Sequence, residues 1–94
     1  MSAASKNEIA TVKINNPDGL HLRVASDVVR ICQKHDAKVT LSCGDCPEAD
    51  GCSILSLLLL TAGEGETLTI KAKGNDAKKV IKKISAYFTN GAGI

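Results

Sequence analysis

The residues best suited to chemistry stand together in Pro17-Asp18-Gly19-Leu20-His21-Leu22-Arg23-Val24-Ala25. Pro17 and Gly19 break the end of a strand-like run, and a helical apolar pattern begins beside His21. The imidazole is therefore expected at or just before a first helical turn. The first amides of a helix have no partner inside it, and the helix dipole adds partial positive charge there. Such a terminus is an anion site. A histidine held there, with an arginine two residues on, can accept a phosphoryl group on a ring nitrogen. The new charge then meets N–H donors and a guanidinium. The same residues admit a plainer reading, a solvated histidine flanking a helix.

The remaining polar chemistry is sparser. Cys43-Gly44-Asp45-Cys46 is a C-x-x-C, and Cys52 follows six residues later. Three sulfurs are a candidate zinc or redox set, with His35 and Asp50 as the only further ligand candidates. Against a metal, Cys43 and Cys46 fall either side of a turn and could simply face each other. Cys32 falls on the apolar stripe of a helix. Ser53 precedes a leucine run and suits a helix N-cap. His35 closes the first helix, where its charge suits the C-terminal dipole.

Composition limits the function classes. The chain has 94 residues, 44% of them hydrophobic and 23% charged, with a net charge of +2. That is one small domain, 1–94, with a loose N-terminal tail over 1–8 and a frayed C-terminus over 90–94. With one Tyr, one Phe and no Trp, the core must be aliphatic, and base stacking is a poor candidate for nucleic-acid binding. The charge is too mild to argue for nucleic acid. No apolar run approaches the ~20 residues of a membrane span. The polar Met1–Glu8 segment lacks a signal-peptide core, so a cytoplasmic protein with reduced cysteines is expected.

The elements that must position His21 follow from periodicity. Ala10–Asn15 alternates, with Ala10, Val12 and Ile14 on one face. Asn16–Gly19 is a turn. From Leu22 to His35, Leu22, Ala25, Val28, Val29 and Cys32 form an apolar stripe, with Val24 and Ile31 near its edge. Ala37–Cys43 alternates again. Cys46–Gly51 reads as a short edge strand or an irregular return, since Pro47 forbids a central place. Ser53 opens a leucine-rich helix closed by Gly63. Thr67–Ala72 alternates, and Asn75 suits the cap of a last helix whose stripe is Ala77, Val80, Ile81, Ile84 and Phe88. The lysines of that helix, Lys78, Lys79, Lys82 and Lys83, read as a solvated face.

Half-buried strands mixed with amphipathic helices give an α+β sandwich, one sheet face covered by helices and the other wet. Consecutive helical residues step ~100° apart, so the leucines cannot share one buried face. If Leu57 and Leu60 point inward, Ile54, Leu55 and Leu58 are at least partly exposed. An exposed apolar patch marks a partner site, with Arg23 and Arg30 steering an acidic partner towards it.

Three stretches carry a family resemblance. Asn16-Pro17-Asp18-Gly19-Leu20-His21-Leu22-Arg23-Val24-Ala25, the helix opened by Ser53-Ile54-Leu55, and Thr67–Ala77 together resemble the histidine-containing phosphocarrier protein (HPr) family of the bacterial phosphoenolpyruvate:sugar phosphotransferase system. The first resembles the family's active-site motif, usually G-L-H-A-R-P-A. The resemblance implies an open-faced β-sandwich, a four-stranded antiparallel sheet with three helices packed on one face (βαββαβα). It implies that His21 takes a phosphoryl group from phospho-enzyme I and passes it to IIA-type domains, that Arg23 steadies the phosphate, and that no metal or cofactor is needed. Leu22, Ser26, Arg30, Ile54, Leu55 and Leu58 are the residues expected to meet partners. Ser53 resembles the serine that a dedicated kinase modifies in some members, and a serine kinase/phosphorylase is then a further partner. Val24 stands where the family usually has proline, which restores an N–H donor. Leu22 replaces a small residue. Two other functions stay open: a regulator that switches partner enzymes through its phosphorylation state, and a metal or redox module built on Cys43, Cys46 and Cys52.

Overall fold

The computed structural model describes residues 7–44 and 47–92. The elements are β1 (Asn7–Lys13), α1 (Leu22–Gln33), β2 (Lys38–Cys43), β3 (Ala49–Asp50), α2 (Ile54–Leu58), β4 (Thr67–Lys73) and α3 (Ala77–Thr89). The strands form one sheet in the order β1-β4-β2-β3, and every neighbouring pair is antiparallel. β4 lies inside the sheet, pairing with β1 from Asn7↔Lys73 to Lys13↔Thr67 and with β2 from Lys38↔Lys73 to Cys43↔Leu68. This is the open-faced sandwich expected from the sequence.

Alternation decides which face is covered. Val12, Val39, Leu41, Leu68, Ile70 and Ala72 point into the core, while Thr11, Lys13, Lys38, Lys71 and Lys73 stand on the wet face. There Lys71 pairs with Glu48 at 2.9 Å. The helices close the other side. α1 contributes Val24, Ala25, Val28, Val29 and Cys32; α3 contributes Ala77, Val80, Ile81, Ile84 and Phe88; α2 contributes Leu57. Each fully buried aliphatic or aromatic side chain of this kind stabilises the fold by about 1.5–3 kcal/mol.

Several boundaries differ from the sequence reading. β1 begins at Asn7, not Ala10, because its ladder with β4 continues to Lys73; residues 1–6 lie outside the described residues. α1 ends at Gln33, and His35 follows its cap with Nδ1–H donating to the Ile31 carbonyl at 2.8 Å. Val24 is buried and Leu22 is 61% exposed, the reverse of their expected order. Leu22 lies ~70° and Val24 ~90° from the centre of the stripe formed by Ala25, Val28, Val29 and Cys32, on opposite edges, so the wheel alone does not bury Val24 in preference to Leu22.

α2 stops at Leu58 rather than running to Ala62. Leu60 and Thr61 bond back three residues, to Leu57 and Leu58, and Thr61 takes a left-handed φ of 49°. At α3 the cap position falls to Asp76, not Asn75. Both side chains serve the loop after α1 instead: Asp76 Oδ2 accepts from the Asp36 amide at 2.7 Å, and Asn75 Nδ2 donates to Asp36 Oδ2 at 2.8 Å. The fraying expected from residue 90 does not extend over 90–92. Ala92 is fully buried, and its amide donates to the Tyr87 carbonyl at 2.9 Å.

Candidate functional site

The loop that presents His21 is tied to two other segments. The Ile14 amide donates to the Glu66 carbonyl at 2.9 Å, and the Leu20 amide donates to the Ala62 carbonyl at 2.9 Å. Asn16, almost wholly buried, donates from Nδ2 to the Gly19 carbonyl at 2.7 Å, while the Gly19 amide donates to the Asn16 carbonyl at 3.1 Å. The sequence reading treated Asn16 only as a turn residue. Its burial among apolar neighbours depends on tertiary contacts and has no local signature. Gly19 has φ +64, and a Cβ there would lie 2.5 Å from the Ala62 carbonyl oxygen and 2.7 Å from Gly63 Cα. Only glycine fits this backbone.

His21 is the N-cap of α1, with extended backbone angles of φ −95 and ψ −177. Its carbonyl accepts from the Ala25 amide at 2.8 Å. Its Nδ1 accepts from the Arg23 amide at 3.3 Å. An Nδ1 that accepts an N–H carries no proton of its own, so the neutral ring holds its proton on Nε2. The amides of Leu22 and Val24 complete the first turn, where a helix leaves its N–H groups without internal partners. An imidazole lone pair is thus held among first-turn amides, as the sequence predicts.

Arg23 reaches His21 through its backbone amide. Its guanidinium goes elsewhere: Nη1 donates to the Ala92 carbonyl at 2.9 Å and lies 3.5 Å from Asp27 Oδ2. Asp27 also accepts from the Tyr87 hydroxyl at 2.7 Å and pairs with Arg30 at 3.3 Å. The Ala92–Arg23 bond spans 69 positions and lay beyond sequence reasoning.

Tyr87 is the single tyrosine of the chain. Burial, then its bond to the Asp27 carboxylate, pushes its phenol well above the usual tyrosine range. The fold therefore favours the neutral phenol. That contribution is complete below about pH 10, the ordinary tyrosine value, and is lost as pH rises through the folded value. An absorbance titration is expected to show phenolate appearing at higher pH in the native chain than in denaturant. Coincident curves would contradict the Asp27 bond.

The other candidate residues lie on α1 and α2, which pack against each other. Leu22, Leu55 and Leu59 are 61%, 68% and 73% exposed. Ile54 and Leu58 are half-buried against the core, Ser26 is half-buried, and Arg30 is exposed. Leu59, the most exposed of these, is not among the residues expected from the sequence, although a helix with Leu57 and Leu60 inward also turns it outward. Ser53 caps α2, its Oγ accepting from the Ser56 amide at 3.2 Å.

The described cysteines do not gather into one site. Cys32 is buried on α1, and burial first, then the nearby Cys52 and Asp50, pushes its thiol up to about 12. Cys52 is exposed, and its thiol is raised by partial burial and by Asp50. Cys43 donates from Sγ to Glu66 Oε2 at 3.3 Å. The Gly63 amide and Cys43 together hold the Glu66 carboxyl below its ordinary value. Cys46 lies outside the described residues, and among the described residues no three His, Cys, Asp or Glu side chains converge as metal ligands. Thiolate character and access set cysteine reactivity. Alkylation of the native chain, mapped by mass spectrometry, is expected to modify Cys52 well before Cys32. Equal rates would contradict the burial of Cys32.

The family model described as "PTS HPr component phosphorylation site" matches residues 9–90. The phosphocarrier protein NPr of Shewanella violacea is 37% identical over 75 residues, covering 80% of this chain and 81% of its own. The phosphocarrier protein HPr of Chlamydia muridarum is 32% identical over 85 residues, covering 89% and 80%. Among solved structures, a histidine-containing phosphocarrier protein from Mycoplasma superposes with a TM-score of 0.82 at 26% identity, over 90% of this chain and 96% of that one. An HPr from Thermoanaerobacter tengcongensis shares the fold with a TM-score of 0.86 at 24% identity, over 93% and 97%. The family match runs through every element from β1 to α3, and on it this chain belongs to the HPr family, the phosphocarriers of the phosphotransferase system.

Proposed function

We propose that His21 is the phosphoryl acceptor, loaded by phospho-enzyme I and unloaded by IIA-type domains. The observation that carries this reading is the Arg23 amide donating to Nδ1, which supports an unprotonated nitrogen at the positive end of α1. The Arg23 amide releases Nδ1, the freed lone pair attacks phosphorus, an N–P bond forms, and the bond from phosphorus to the donor atom breaks with its electron pair left on the donor, while the amide becomes free to donate to a phosphoryl oxygen. Nε2 keeps its proton, so no base is required. Transfer onward reverses these steps at the acceptor. Positioning and charge stabilisation carry most of the catalysis in phosphoryl transfer, and first-turn amides with Arg23 supply both.

Leu22, Leu55 and Leu59, with the half-buried Ile54 and Leu58 and the neighbouring Ser26 and Arg30, are the surface on which we place both partners. Exposed apolar side chains on two adjacent helices support this. Family membership accords with a cytoplasmic location, and no helix of the described residues is long and apolar enough to cross a membrane. Ser53 is a second candidate modification site. Its hydroxyl caps the helix that carries Leu55 and Leu58, so a phosphate there would place charge beside the docking leucines. Under this regulatory reading, binding of partners changes with the state of Ser53.

The test uses the intact chain with phosphoenolpyruvate and its cognate enzyme I. An acid-labile adduct on His21, drained by a IIA-type domain, is the expected result. An adduct on another residue, or none with an active enzyme I, defeats the proposal.

A further inference from the structure

Resting on the reading of His21 as acceptor, we propose that Tyr87 and Asp27 are positioning residues for the transfer: they tether the Arg23 guanidinium, so that it is ordered on the first turn of α1 before the phosphoryl group arrives.

Tyr87 fixes both acceptors that hold Arg23. Its hydroxyl donates to Asp27 Oδ2 at 2.7 Å, the oxygen that lies 3.5 Å from Arg23 Nη1. Its main-chain carbonyl accepts from the Ala92 amide at 2.9 Å, and the Ala92 carbonyl takes Arg23 Nη1 at 2.9 Å. One residue of α3 thus ties together the carboxylate on α1 and the turn after α3.

The anchors are themselves rigid. Ala92 is fully buried in a left-handed turn at φ 56. The Tyr87 ring packs edge-on against Phe88, with centroids 5.3 Å apart and planes at 80°, and Phe88 is fully buried. Arg30 satisfies the other oxygen of Asp27 at 3.3 Å, which fixes the carboxylate's orientation.

An arginine side chain free in solvent must be ordered before it can meet a phosphate, and that ordering opposes the transfer. A guanidinium offers five N–H donors in a planar fork, more than the acceptors on Ala92 and Asp27 use. It can therefore stay tethered while it meets the phosphoryl oxygens. The tether sets where the fork stands relative to His21: Arg23 is two residues past His21 and four before Asp27, on the same face of α1 as that carboxylate.

The test compares loading of His21 by enzyme I in the wild type, Tyr87→Phe, Asp27→Asn, Arg23→Ala and the double variant Tyr87→Phe/Arg23→Ala. Tyr87→Phe keeps the ring against Phe88 and removes only the hydroxyl. It is expected to lower kcat about three- to tenfold, the loss of roughly one hydrogen bond, with KM for enzyme I unchanged and Tm lowered by only about 5–10 °C. Asp27→Asn is expected to lower it at least as much. Adding Tyr87→Phe to Arg23→Ala is expected to cause no further loss, because Tyr87 acts through Arg23. A Tyr87→Phe rate equal to wild type, or a full multiplicative loss in the double variant, overturns the positioning role and leaves His21 as the acceptor. An inert wild type with a proven enzyme I overturns the His21 assignment and the positioning role with it.

Discussion

A His21→Ala chain is expected to keep its fold and to form no acid-labile phosphoryl adduct with enzyme I. The two effects separate because His21 contributes little to the core. Its ring is half-exposed and its one side-chain bond is to the Arg23 amide at 3.3 Å. Losing a helix N-cap costs about 0.5–2 kcal/mol, and the His21 carbonyl still accepts from the Ala25 amide. His21→Asn sharpens the comparison. Asparagine caps helices well, so stability should return to near the wild-type value while the adduct stays absent. Denaturant unfolding and mass spectrometry of the loaded protein read the two quantities. An adduct that persists in His21→Asn would place the chemistry on another residue.

Gly19→Ala is expected to be the most damaging small substitution near the site. Two costs combine. An alanine forced into a left-handed φ of +64 is strained by about 1–3 kcal/mol. Its Cβ would also meet the Ala62 carbonyl oxygen at 2.5 Å and Gly63 Cα at 2.7 Å, both backbone atoms that move only with their segment. Overpacking of this kind costs about 1–3 kcal/mol more. The sum, about 2–6 kcal/mol, lowers Tm by roughly 10–40 °C for a domain of this size. Gly65→Ala is the control. Gly65 also has a positive φ, +88, but a Cβ there meets nothing within 4 Å, so only the strain remains. Because Leu20 bonds to Ala62 and His21 follows directly, the segment that must shift in Gly19→Ala is the one that aims the imidazole. Its rate of loading should fall as well, whereas that of Gly65→Ala should not. Equal destabilisation by the two substitutions would show that the close approach at Gly19 carries no energy.

Much of this architecture was legible because it rests on local periodicity. The alternation in Thr67–Ala72 marks β4, one of the sheet's two inner strands, and the apolar stripes of α1 and α3 are the faces that pack. His21 at a helix start was legible from Gly19 and the pattern that follows. Features decided by tertiary contacts were not. Leu22 and Val24 stand on opposite edges of the stripe, and only the packed fold buries Val24. Ser53 signals the start of α2, but the early stop at Leu58 comes from bonds that tighten its last turn. Asn75 is the better cap by type, yet the loop at Asp36 takes its amide, and Asp76 stands at the helix end. The guanidinium of Arg23 was expected at the phosphate. Its anchors at Asp27 and Ala92 include one from the far end of the chain, which no local pattern reports.

The most direct measurement is NMR of the chain, uniformly 15N-labelled, after loading by phosphoenolpyruvate and enzyme I. Phosphorus coupled to the Nδ1 of His21 is the result expected from a ring whose Nδ1 accepts the Arg23 amide and whose proton rests on Nε2. Phosphorus on Nε2, on His35, or on an oxygen of Ser53 under these conditions would contradict the account.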